Sequence, residues 1–192
     1  MAGQIPTYEL TLEASLGPLT LLKQTSTGEI TQHGLVPVRY SDKRLRKSEQ
    51  ATHFDAAAGL VTFSNNRPQA AWAVGLQDRL SVLVQLAALA QGQADSKVTA
   101  KGWQVGDIIE LPVASTEEQA PWQWEVQPLA QTQTQTETDP AGTIKLLRRP
   151  RNAFDASLEL WLAPSIGFMP SRIRQTDSSG VTDQVLQQAQ RP

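Results

Sequence analysis

The stretch Leu76-Gln77-Asp78-Arg79-Leu80-Ser81-Val82-Leu83-Val84-Gln85-Leu86-Ala87-Ala88-Leu89-Ala90-Gln91-Gly92 has an apolar spacing that suits a helix, and no other long segment does. At about 100° per residue, Gln77, Asp78, Ser81, Gln85 and Gln91 fall on one arc, whereas leucines, valines and alanines cover most of the rest. A helix that apolar must be wrapped, so one buried helix is expected over about residues 76–91, ended by Gly92.

The flanking sequence reads as strand and turn. Tyr8–Leu16 alternates apolar with polar residues, the period of a half-buried strand, until Gly17-Pro18 breaks it. Leu19–Thr25 and Glu29–His33 are expected to pair across Ser26-Thr27-Gly28. Similar turns follow: Asp55–Gly59 joins Ala51–Phe54 to Leu60–Ser64, Asp139–Gly142 precedes Thr143–Leu147, and Asp177–Gly180 joins Arg172–Thr176 to Val181–Leu186. Residues 93–102 read as loop, and Asp107–Ala114 as a strand whose Pro112 suggests an edge or bulge. Trp122, Trp124 and Val126 share one strand face, as do Leu158, Leu160 and Leu162. The Gln/Thr run 131–138 is expected to be an exposed strand. About ten strands against one helix make a mainly β fold: an antiparallel meander curled into a half-barrel or open barrel around the helix. We expect a single domain over 1–192, with 1–6 and 187–192 as disordered ends.

Composition narrows the function classes. A net charge of -2 with 19% charged residues argues against a basic nucleic-acid binder. The absence of cysteine excludes disulfides, thiolate metal sites and cysteine nucleophiles, and suits an oxidising envelope compartment as well as the cytosol. No apolar run reaches the roughly 18 residues that span a bilayer.

The segments His53-Phe54-Asp55, Phe63-Ser64-Asn65-Asn66, Gln77–Val82 with Gln85-Leu86, Trp161-Leu162-Ala163-Pro164, Pro170–Arg174 and Asp183-Gln184 follow in an order that resembles the proteobacterial domain of unknown function 3108. The resemblance implies export to the periplasm, with the native protein anchored to the inner membrane through an N-terminal segment, and no settled activity. The opening hairpin around Ser15–Leu22 is shorter than the resemblance implies.

No catalytic or cofactor constellation emerges. His33 and His53 lack a third ligand at metal spacing. Ser81, His53 and Asp78 form a hydrolytic triad only on paper, without a nucleophile elbow. The basic runs Lys43–Lys47 and Lys145–Arg151 suit either lipid phosphates or solvated strand faces. Arg172 and Arg174, two apart on a strand, point the same way, as an anion site or an outer face paired with Glu159. Gln77, Ser81 and Gln85 either bond to strand backbone or line the mouth of the curl. The candidate ligand-binding residues are therefore Gln77, Ser81, Gln85, Arg172 and Arg174, with no catalytic residue, metal or cofactor. The expected function is a non-enzymatic periplasmic domain binding an apolar or amphipathic lipid or other envelope component; its rival is an interaction module using strand edges such as 131–138.

Overall fold

The computed structural model describes residues 5–95, 102–129 and 142–186. The fold is mostly β, with 54% strand against 11% helix. The first sheet has six strands in sequence order: β1 (Thr7–Leu16), β2 (Leu19–Thr31), β3 (Gly34–Arg44), β4 (Gln50–Asp55), β5 (Leu60–Phe63) and β6 (Ala70–Ala71). Each pair in it is antiparallel. The second sheet is a curled half-barrel of seven strands. It runs β7 (Gln77–Asp78), β8 (Ile108–Ala114), β9 (Gln119–Gln127), β10 (Ile144–Arg148), β11 (Ser157–Leu162), β12 (Pro170–Asp177) and β13 (Gly180–Val185). The pairing of β7 with β8 is parallel, Gln77 with Val113 and Asp78 with Ala114. A parallel pair needs a long crossover, and the helix α1 (Ser81–Asp95) lies within it.

The chain forms two compact units. Unit 1 comprises Met1–Gln85 and Leu111–Pro121, and unit 2 comprises Leu86–Glu110 and Trp122–Pro192. In unit 1, Tyr40, Phe54, Val61, Leu76, Leu80 and Ala114 form a buried cluster, with Leu10, Leu12, Phe63 and Trp72 packed against it. In unit 2, the alternation of β9 and β11 buries Trp122, Trp124 and Val126, and Leu158, Leu160 and Leu162. The two indoles lie 6.1 Å apart and tilted by 54°.

Two sequence expectations need correction. The helix runs from Ser81 to Asp95, not over 76–91, so Gly92 lies inside it. Leu76 and Leu80 are buried in the unit 1 cluster from non-helical backbone, and Gln77-Asp78 is strand. The Asp78 carboxylate accepts the Leu80 and Ser81 amides at 2.8 and 2.9 Å, and Ser81 Oγ accepts the Asp78 N–H at 2.8 Å. That reciprocal cap sets the helix start. Nor does the chain turn at Ser26–Gly28, because β2 continues to Thr31. Gly28 is needed there for another reason: a Cβ would stand 2.2 Å from Val36 O and 2.9 Å from Tyr8 Cε1, where the β2–β3 register shifts. The Gln/Thr run 131–138 lies outside the described residues.

Candidate functional site

Within unit 1 the helix stripe is drawn together around Leu35 and Asp78. The Leu35 N–H donates to Gln85 Oε1 at 2.9 Å, and Gln77 Nε2 donates to Leu35 C=O at 2.9 Å. The two glutamines thus clamp both polar groups of one buried peptide residue. Gly34 makes room: its φ of +106° suits glycine, and a Cβ there would stand 2.2 Å from Gln85 Oε1. Gln77 Oε1 is buried with no partner among the described residues.

Ser81 is fully buried and caps Asp78. Asp78, also fully buried, accepts the Ser26 hydroxyl at 2.5 Å, and Ser26 Oγ lies 3.2 Å from the Tyr8 hydroxyl. Burial pushes the Asp78 carboxyl above the ordinary range despite bonds from Ser26, Ser81 and Leu80. Burial likewise raises the phenols of Tyr8 and Tyr40. The arrangement locks the helix start, while His53, the third member of the paper triad, is exposed on β4.

Nearby in unit 1, Asp42, Arg44, Lys47, Ser48, Gln50, Thr116 and Glu117 line a polar cleft of about 160 Å³. Gln24 Nε2 donates to the buried Asp42 carboxylate at 2.9 Å. The hydrogen bond that Arg44 donates to Asp42 is the main cause raising its guanidinium further above its ordinary value.

Arg172 and Arg174 lie in unit 2, on β12. Arg172 Nε and Arg174 Nη2 each donate to Asp183 at 2.8 Å, and Arg174 lies 3.8 Å from Glu159. Lys145 Nζ pairs with Glu159 at 2.6 Å, and Lys145, Arg172 and Arg174 all face the Trp161 ring at 4.9–5.9 Å. The result is a strip of three cations over one indole, balanced by two carboxylates. The Arg172 hydrogen bonds hold Asp183 well below the usual carboxylate range, with Arg174 assisting.

Sequence reasoning missed Asp183 as the main partner. Counting back from the Asp177–Gly180 turn would have found it, because that register places Arg174 opposite Asp183. It also missed that the run Lys145–Arg151 is not one cationic surface. Arg148 is buried, lies 4.1 Å from the Trp122 ring and bonds to Asp155 at 2.7 Å, while Arg149 pairs with Glu125. Among the described residues no three His, Asp or Glu side chains stand where they could hold a metal ion.

No curated protein and no solved structure matches the chain. A family model does match it over residues 3–186, with the description "Protein of unknown function (DUF3108)". An ordered match across nearly the whole chain establishes that this protein belongs to that family.

Proposed function

We propose that this protein is a non-enzymatic periplasmic module of the cell envelope, and that it holds a partner by adding the partner's extended segment to the outer edge of β1. The observation that carries this reading is the free edge. β1 is the terminal strand of its sheet, and among the described residues no strand pairs with its outer side.

The ladder shows which groups face outward. Ile30 N–H donates to Pro6 C=O at 2.8 Å. Alternation along the antiparallel pair then turns the backbone groups of Tyr8, Leu10, Leu12 and Ala14 toward β2, and those of Thr7, Glu9, Thr11 and Glu13 outward. Those four side chains are exposed. No proline or lysine guards the edge between Thr7 and Ala14, although natural edges are commonly blunted in that way. Strand addition to such an edge draws affinity from main-chain hydrogen bonds. The family resemblance supports the periplasmic placement.

A photo-crosslinking residue at Glu9, expressed in the native host, tests the reading. Adducts in the envelope fraction are expected, and Thr11→Pro should abolish them, because it removes an outward N–H while leaving the β2 ladder intact. Absence of envelope adducts, or adducts indifferent to Thr11→Pro, would overturn it.

A further inference from the structure

The turn end of the β1–β2 hairpin carries a second unexplained surface. Leu16 is 72% exposed, Leu19 46%, Leu21 39% and Leu45 39%. Leu16 pairs with Leu19 across Gly17-Pro18, so the two share a face. The register shifts between Ala14 and Ser15, which makes Leu21 the extra residue of a bulge at the hairpin end and sets Lys23 on the opposite face from Leu16 and Leu19; the Leu45 N–H donates to Leu21 C=O at 2.9 Å.

Cations border the leucines. Lys23 stands between Lys43 and Glu13 in the register, so two cations share one carboxylate there. Arg44, Arg46 and Lys47 follow. The nearby carboxylates are engaged: Glu13 Oε1 accepts the hydroxyls of Ser15 and Thr20, at 3.1 and 3.0 Å, and Asp42 holds Arg44 and Gln24. Glu117 lines the cleft beside Arg44 and Lys47. The balance here is positive in a chain whose net charge is -2.

The geometry points to this hairpin end as a docking surface for an anionic lipid bilayer. Leu16, Leu19, Leu21 and Leu45 enter the boundary between headgroups and acyl chains, and Lys23, Lys43, Arg46 and Lys47 meet lipid phosphates. A turn is convex, and convex apolar side chains ringed by cations suit a yielding anionic surface. The inference does not depend on the β1 edge, which lies along the strand rather than at its turn.

Flotation with vesicles of equal parts phosphatidylglycerol and phosphatidylethanolamine tests it, against vesicles of phosphatidylcholine alone. The parent should float with the anionic vesicles and not with the neutral ones. Leu16→Ser with Leu19→Ser should weaken partitioning by about tenfold or more. Lys23→Gln with Lys43→Gln should weaken it by about fivefold per charge at low salt, with a smaller dependence on added salt. Both pairs alter exposed residues, so circular dichroism and the melting temperature should match the parent. Equal flotation with neutral vesicles, failure of the parent to float, or leucine variants that float like the parent would each overturn the proposal. So would leucine variants that turn a self-associated parent into a monomer without changing flotation, since the surface would then join copies of this chain.

Discussion

The clamp on Leu35 makes a quantitative claim about coupling between Gly34 and Gln85. Truncating Gln85→Ala orphans the Leu35 N–H, which donates to Gln85 Oε1 at 2.9 Å in a buried setting, so the loss should be about 1–3 kcal/mol. Gly34→Ala carries two costs. Its φ of +106° strains any residue with a Cβ by about 1–3 kcal/mol, and the new methyl group, 2.2 Å from Oε1, evicts the amide and orphans the same N–H. In the double variant that N–H is lost only once, so the combined destabilisation should fall short of the sum by about 1–3 kcal/mol. Urea titrations of the four proteins, followed by circular dichroism with a common m-value, measure that shortfall. Additivity within about 0.5 kcal/mol would show that the glutamine does not hold Leu35.

Three further outcomes are expected. Asp78→Asn should match the parent below about pH 4 and become progressively more stable than it at higher pH, because a carboxyl whose native value is raised loses stability as it ionises, whereas an amide does not; a difference in melting temperature that does not vary with pH would refute this. Asp155→Ala should cost about 3 kcal/mol at pH 7 by removing the carboxylate that pairs with the buried Arg148. Burial works to raise that carboxyl, but hydrogen bonds from Arg148 and Arg151 outweigh it and hold it at about 2, so the penalty should shrink as pH falls from about 4 toward 2, as thermal melts would record. Gly28→Ala should cost roughly 3 kcal/mol or more by chemical denaturation, because its Cβ meets the backbone of Val36 and Pro37 rather than a side chain that can swing away.

Strand alternation was legible wherever one face is buried and the other wet. Trp122 and Trp124, and the leucines of β11, could be placed on one face from spacing alone. The helix start was harder, because Leu76 and Leu80 fit its apolar period yet are buried from non-helical backbone. Only the cap that Asp78 provides separates the two cases. Gly28 misled for a related reason: a glycine that turns the chain and one that admits a neighbouring backbone look identical in sequence. The stripe's role depended on a partner fifty residues away, Leu35, that no local pattern names. Arg172 and Arg174 were correctly read as neighbours on one face, but choosing Asp183 over Glu159 required the strand register.

The division of the chain carries a consequence for how it is made. Unit 1 is discontinuous: after Gln85 the chain contributes Leu86–Glu110 to unit 2 and only then returns as Leu111–Pro121. On that return Val113 and Ala114 pair with Gln77 and Asp78, Thr52 donates to Ser115 C=O at 2.7 Å, and Asn65 donates to Thr116 C=O at 3.0 Å. A ribosome adding about 5–20 residues per second can therefore release the β1–β6 meander to pair locally seconds before the last piece of unit 1 exists. Until that piece arrives, β7 has no strand to join, and the nascent chain presents an unfinished core to chaperones and proteases. The same threading means that removing everything after Asp95 would leave unit 1 incomplete, and that any single cut that keeps one unit whole carries a piece of the other with it.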